Sequence, residues 1–240
     1  MKYSSISNIG KVRNDNQDFY GALELDKHAF FIVADGLGAH NRGDAASKLA
    51  VKYIIKYIKE NINKTKTVNL QEEAISYANS VIYDYAQSSE EFRQMGTTVV
   101  CVCLDYDNQL YHFSHVGDSR AYLFTGGILK QITRDHSVVN ELLDSGSISE
   151  EEAKNYNNKS AITKAVGIEK TISPDSISFE MNKDDIVLMV TDGLSNELSH
   201  EEITTLVSQN NTAEDISKNL VDLAIRKGGH DNITVTTIMI

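Results

Sequence analysis

Four aspartates carry most of the chemistry available to this sequence. Asp35 follows the apolar run 30–34 in FFIVADGLGAH, Asp192 follows a second apolar run in IVLMVTDGLS, and each is trailed by glycine. Asp118 lies in HVGDSRAYL and Asp231 in GGHDNITV, both next to strand-like runs. An apolar strand does not need a charge at its mouth unless something there binds it, and neighbouring glycines let backbone approach a ligand closely. Four clustered carboxylates repel one another, and a pair of divalent cations relieves this. Oxygen donors without a Cys or His array select hard ions, Mg2+ or Mn2+. Two such ions about 3.5–4 Å apart can share a bridging water, lower its pKa and hold it in line for attack on phosphorus. A single Asp-Gly is a common turn; it is the full set that points to a metal cleft. An anionic substrate also needs a positive anchor, and the guanidinium of Arg13 in KVRNDNQDFY suits a phosphate bidentately.

The elements that must position these acids follow from periodicity. After a strand at 28–35, Ala46, Leu49, Ala50, Tyr53, Ile54, Tyr57 and Ile58 form one helical stripe, so a long amphipathic helix packs on something flat. A second helix is expected at 70–87. Strand-like runs at 97–104, 109–116, 119–124 and 128–133 have short connections that fit antiparallel hairpins. Residues 137–161 are more polar: a short helix ended by Gly146, then Ser149 and Glu152 spaced as a capping box. This segment reads as an excursion over the surface. Strands at 176–181 and 185–191, helices at 199–209 and 213–227, and a last strand from Ile233 complete the pattern. The expectation is an α+β fold of antiparallel sheets covered by helices.

The 240 residues fit one compact domain, since one proline and 14 scattered glycines leave no room for a Pro- or Gly-rich linker. A net charge of −11 argues against a general grip on nucleic acid or anionic lipid. Cys101 and Cys103 point to the same strand face and are expected to be reduced core thiols, as in a cytosolic protein. The first residues lack the apolar stretch of a signal peptide, and no run reaches the ~18 apolar residues of a membrane span. The expectation is a soluble, cytoplasmic protein without membrane insertion.

Read together, the segments RNDNQD (13–18), VADGLGAHNRGDAAS (33–47), MGTTVV (95–100), VGDSRAYL (116–123), ITRDHS (132–137), ITKAVG (162–167), VTDGL (190–194) and GGHDNITV (228–235) resemble the bacterial branch of the metal-dependent Ser/Thr protein phosphatases of type 2C. The resemblance implies a sandwich of two antiparallel β-sheets flanked by helix pairs (αββα), with 137–161 as a flap that tunes substrate access. It implies that Asp35 bridges two metals, that the Gly36 carbonyl serves the second, and that Asp192 and Asp231 hold the first. Asp18 would hydrogen-bond metal-bound water, Arg13 would hold the substrate phosphate, and Asp118 with Asp192 would bind a third, weaker ion. The implied reaction is Mg2+/Mn2+-dependent hydrolysis of phosphoserine and phosphothreonine in proteins, by direct attack of the metal-bridging hydroxide. Phosphoprotein substrates and a cognate eukaryote-like Ser/Thr kinase are the implied partners, and a monomer is the default state.

Two departures from the family pattern touch the loop and the flap. Gly38-Ala39 stands where a glycine pair is usual before the histidine, and YNNKS (156–160) lacks the His-Pro and Arg-Asn common in the flap. His40 has two readings: it protonates the leaving alkoxide, or it orients the loop. His136 is read as structural. One competing reading takes Gly117-Asp118-Ser119 as the nucleophile block of a GDSL-type serine esterase. Another takes the chain as a catalytically inactive metal- or phosphoprotein-binding module.

Overall fold

The computed structural model describes residues 1–38, 42–88, 90–154, 156 and 161–240. The chain opens with β1 (Lys2–Asn8), β2 (Asp18–Glu24) and β3 (His28–Leu37), followed by the helices α1 (Arg42–Asn61) and α2 (Thr67–Gln87). Next come β4 (Gly96–Thr97), β5 (Val99–Asp105), β6 (Leu110–Val116), β7 (Arg120–Thr125) and β8 (Ile128–Gln131). The helices α3 (Val138–Asp144) and α4 (Glu150–Lys154) precede β9 (Asp175–Glu180) and β10 (Ile186–Val190). The chain closes with α5 (Asp192–Ser195), α6 (His200–Gln209), α7 (Ala213–Lys227) and β11 (Ile233–Met239). Among the described residues these strands form two antiparallel sheets, ordered β1-β11-β10-β7-β8 and β2-β3-β5-β6-β9, with β4 paired to β3.

Side-chain alternation explains the layering. Along β3, Phe30 and Ile32 face α1 and α2, where they pack with Ala50, Ile54, Ala74 and Ile82. Phe31 and Val33 face the other sheet, against Ala121, Leu123, Val187 and Met189. A strand buried on both faces is apolar at successive positions, which is why 30–34 shows no polar alternation. Leu188, Val190 and Val235 of the first sheet face Ile203, Val207, Ile216 and Leu220 on α6 and α7. The order of layers is therefore helix, sheet, sheet, helix, as the periodicity and the resemblance led one to expect.

Several local expectations need correction. The buried face of α1 is turned toward Ser47 and Val51, while Leu49, Tyr53 and Tyr57 are only half-buried. Ser47 is inside because its hydroxyl donates to the Gln17 carbonyl at 2.7 Å. Strands β1 and β2 carry no clear alternating signal in the sequence; pairing with β11 and β3 makes them strands. Among the short connections, β5–β6 and β7–β8 are hairpins, but β6 and β7 lie in different sheets, as do β9 and β10. The β6–β7 corner turns at Gly117 (φ +101°), where an added Cβ would lie 2.6 Å from Thr98 Cγ2. A side chain there would meet both a conformational and a steric barrier.

The excursion after β8 is closed at its base. Ser137 bridges Ile162, and Val138 N–H donates to the Ala161 carbonyl at 2.9 Å. The Ser149/Glu152 box forms as its spacing predicts, with Ser149 N–H donating to Glu152 Oε2 at 2.8 Å and Glu152 N–H to Ser149 Oγ at 3.3 Å. The departure noted at 156–160 lies, apart from Tyr156, outside the described residues. Replacing Gly117 with Ala is expected to destabilise the protein by about 1–3 kcal/mol through the strained corner. Thermal or urea unfolding measures this, and an unchanged midpoint would show that the corner relaxes freely.

Candidate active site

Asp18 and Asp35 are direct cross-strand partners on β2 and β3, so their side chains emerge on the same face of the second sheet. Asp35 is not the last residue of its strand, as the sequence led one to expect, because β3 runs on through Leu37 by pairing with β4. Its backbone N–H and carbonyl are both held where β4 joins β5. The Asp35 N–H donates to Thr98 Oγ1 at 3.1 Å, while its carbonyl accepts from Thr98 N–H and Thr97 Oγ1, each at 2.8 Å. Thr98 Oγ1 lies 2.7 Å from Ser119 Oγ, next to Asp118. Gly36 sits where three segments meet, and a Cβ there would come within 2.1 Å of the Gly43 carbonyl oxygen and 2.7 Å of that of Gln17.

The first sheet supplies the opposing acids. Asp192 opens α5 one residue beyond β10, and its charge acts directly on Asp35 across the same cleft. Asn196 Nδ2 donates to Asp192 Oδ2 at 3.1 Å. Asp231 precedes β11 and is steadied by Asn232 N–H on its Oδ1 at 2.8 Å. Asn232 is itself a hub: its Nδ2 donates to the carbonyls of Ile9 and Asp15, and its Oδ1 accepts from Gln17 N–H. The two loops are pressed together at Gly193, where a Cβ would lie 2.0 Å from the Asn232 carbonyl oxygen.

Arg13, Asp35, Gly36, Asp192 and Asp231 line one open cleft of about 800 Å³. Asp192 also lines a neighbouring cavity of about 680 Å³, together with Asp118, Tyr156 and Ser195. Arg13, read as a phosphate anchor, donates to Asp231 Oδ2 at 2.6 Å. A guanidinium at the rim of an acidic cleft pairs with the nearest carboxylate. His40 lies outside the described residues. His136 is buried, and its Nδ1 accepts from Gly117 N–H at 3.0 Å, which agrees with a structural role at the corner.

The electrostatics express the crowding. Burial, then the charges of Asp18, Asp192 and Asp118, raise Asp35 well above the ordinary carboxylate range. Asp192 is raised by burial and by Asp231. Burial pushes Asp18 up to about 7 despite hydrogen bonds from Thr234 and Thr191, and Asp118 reaches about 7 through burial, Asp192 and Asp135. As they stand, no three His, Cys, Asp or Glu side chains among the described residues close on one point tightly enough to grip an ion. The donor chemistry nevertheless fits hard divalent cations. It consists of carboxylates and a backbone carbonyl, Asp35 and Asp192 line the same cleft, and Asp18 Oδ1 is buried without a partner among the described residues. Such ions retain several waters and need few protein ligands.

The serine-esterase reading of 117–119 is not supported. Ser119 is buried, its hydroxyl is taken by Thr98, and the segment leads into β7 rather than a helix. The residues that sequence reasoning passed over are Thr97, Thr98, Thr191, Thr234 and Asn232. Each stands inside or beside a motif, yet none has an ionisable group to draw notice.

Fold and site define an α+β sandwich with an acidic cleft at the junction of its sheets. A family model described as protein phosphatase 2C matches residues 11–223. A putative protein phosphatase 2C-type from Streptococcus pyogenes is 35% identical, covering 99% of this chain and 97% of the relative. The protein phosphatase PhpP of Streptococcus pneumoniae is 34% identical, with 99% and 97% covered. The crystal structure of the Mycobacterium tuberculosis serine/threonine phosphatase PstP/Ppp superposes with a TM-score of 0.87 at 30% identity, covering 98% and 97% of the two chains. A PstP catalytic domain in complex with two manganese ions matches with a TM-score of 0.84 at 29% identity, covering 100% and 98%. This chain belongs to the protein phosphatase 2C family, in its bacterial serine/threonine branch, and is an enzyme.

Asp118 offers a direct test of the crowding. Its folded pKa is raised above the unfolded value, so its contribution to stability is present below about pH 4 and is lost as pH rises through about 7. In chelator, Asp118→Asn is therefore expected to melt above wild type at pH 8, with the difference shrinking toward pH 5. A gain of 1 kcal/mol corresponds to about 2–4 °C for a chain of this size. A difference independent of pH would mean that burial and the neighbouring acids do not raise Asp118 in the folded state.

Proposed function

We propose that this enzyme hydrolyses phosphoserine and phosphothreonine esters in proteins with two divalent cations, Mn2+ or Mg2+, held by Asp35, Asp192, Asp231 and the Gly36 carbonyl. The observation that carries this reading is the meeting of Asp35 and Asp192, one from each sheet, in a cleft that Asp231 and Arg13 also line. Asp118, reaching Asp192 from the neighbouring cavity, would help hold a third, weaker ion. When bound, the ions supply Lewis acidity that neutralises the phosphoryl oxygens and makes a water nucleophilic near neutral pH.

The chain's own residues support direct attack by water, without a phosphoenzyme. Both cysteines face the α1/α2 layer, away from the cleft. Burial pushes the Cys101 thiol up to about 12 and Cys103 well above its usual range, so neither is available as a thiolate. In the reaction water adds oxygen to phosphorus, the phosphorus–oxygen bond to the serine or threonine breaks, and the alkoxide leaves with a proton. Arg13 exchanges its contact with Asp231 for the substrate phosphate and orients it. His40 remains a candidate donor of that proton.

The whole 1–240 chain is read as one catalytic domain with 137–161 as its flap. Its opponent in signalling would be a Ser/Thr kinase acting on the same proteins. No helix among the described residues is long and apolar enough to cross a membrane.

Hydrolysis of a phosphothreonine peptide and of p-nitrophenyl phosphate, before and after EDTA and with Mn2+ returned, tests the proposal. Loss with chelator and recovery with manganese are expected, whereas activity surviving complete metal removal would overturn the reading. For Arg13→Ala, KM for phosphopeptide is expected to rise about tenfold or more, with a smaller fall in kcat, since a charge-assisted phosphate contact acts in the ground state too. A flat KM with a collapsed kcat would make Arg13 a transition-state group instead.

A further inference from the structure

Asp18 is 5% exposed, and its two oxygens have different surroundings. Oδ2 accepts from two hydroxyls, Thr191 Oγ1 at 2.8 Å and Thr234 Oγ1 at 2.7 Å. Oδ1 is also buried and has no hydrogen-bond partner among the described residues. Such an oxygen is costly to leave unpaired, the more so when charged, so its isolation calls for a reason.

The surrounding hydrogen bonds have one consistent direction. Asp18 N–H donates to Asn16 Oδ1 at 3.2 Å, which turns the Asn16 amide so that Nδ2 donates to Ser7 Oγ at 2.9 Å. Ser7 Oγ lies 2.8 Å from Thr234 Oγ1. In its ionised form Asp18 only accepts, so the Thr234 proton then goes to Asp18 and the Ser7 proton lies between the two hydroxyls. Thr234 N–H donates to Thr191 Oγ1 at 2.9 Å, so the Thr191 proton is also directed to Asp18. Both lone hydroxyl protons therefore converge on Oδ2.

This network crosses the sandwich. Ser7 on β1 is the register partner of Thr234 on β11, and Thr191 directly follows β10. All three belong to the first sheet or its margin, while Asp18 and its partner Asp35 belong to the second. Asp18 also feels the charges of Asp192 and Asp231. Saturating Oδ2 from the far sheet fixes the carboxylate plane and leaves Oδ1 as its single free acceptor beside the acidic cluster.

We propose that Thr191 and Thr234 are positioning residues for the phosphatase reaction, clamping Asp18 through Oδ2 so that Oδ1 alone is presented to the water held at the cleft acids. This rests on the metal-dependent reading above. The clamp extends that reading, because neither threonine touches the cleft itself and both act only through Asp18.

A mutant cycle separates positioning from plain structural support. Thr191→Val and Thr234→Val keep shape and remove the hydroxyl; Thr→Ser keeps the hydroxyl. Manganese binding by calorimetry and kcat on a phosphothreonine peptide are measured for each, alone and combined with Asp18→Asn. The valine variants are expected to lose about 10–100-fold in manganese affinity or kcat, the usual range for groups that orient a site from behind. KM should be little changed, and the serine variants should restore function. In the Asp18→Asn background the valines should add no further loss, because the residue through which they act is already disabled. Additive loss in that background, or wild-type binding and turnover in the valine variants, would overturn the clamp while leaving the phosphatase reading intact. A wild-type enzyme indifferent to manganese would overturn both. If the valine variants fail to fold, Thr→Cys at the same positions provides the weak-donor arm of the cycle, with the same two outcomes.

Discussion

Mutual repulsion among carboxylates gathered between two sheets is the constraint on which this structure turns. Asp18 and Asp35 come from one sheet, while Asp192 and Asp231 come from the margins of the other. In water such acids would keep apart, and burial removes the solvent that would screen them. Burial first, and the charges of neighbouring acids after it, raise Asp35, Asp192, Asp118 and Asp18 above the ordinary carboxylate range. A fold that collects them must therefore be stable for other reasons and rigid where it holds them.

That rigidity comes from neutral groups. Three apolar layers, two under the helices and one between the sheets, hold the strands in register. At the cleft the backbone of Asp35 is bonded to Thr97 and Thr98, and Asp18 to Thr191 and Thr234. Threonine suits this work: its branched carbon stiffens it in a strand, and its hydroxyl can donate to a carboxylate without adding charge. Glycines at 36, 43 and 193 allow segments to approach more closely than any Cβ would permit. Corners that switch sheets, such as that at Gly117, then deliver Asp118 to the same region.

The separation of two cavities by Asp192 gives the site a division of space. One side gathers Asp35, Asp231 and Arg13. The other is bounded by Asp118 and by the excursion after β8, through Ser137, Asn140 and Tyr156. Arg120, bonded to Asp135 by a 2.6 Å ion pair, forms part of that second wall.

Much of this was legible in the residues. The 46–58 stripe required a helix on a flat partner, and the apolar runs before Asp35 and Asp192 required buried strands. Acids and glycines at their mouths marked the cleft, because ionisable groups beside apolar runs are locally anomalous. The sequence could not say which short connections were hairpins and which crossed between sheets. Residues 117–119 read like a turn, and only the packing of Gly117 on Thr98 turns the chain to the other sheet. Nor did it reveal β1 and β2, whose strand character depends on distant partners. The same reason hid the threonines that hold Asp18 and Asp35. Their types are unremarkable, and their role is set by residues as far apart as 18 and 234, a relation that exists only once the sheets have met. Sequence determined which groups could do the chemistry; the tertiary structure decided which atoms of those groups remain free, because hydrogen-bond saturation depends on neighbours that only folding supplies.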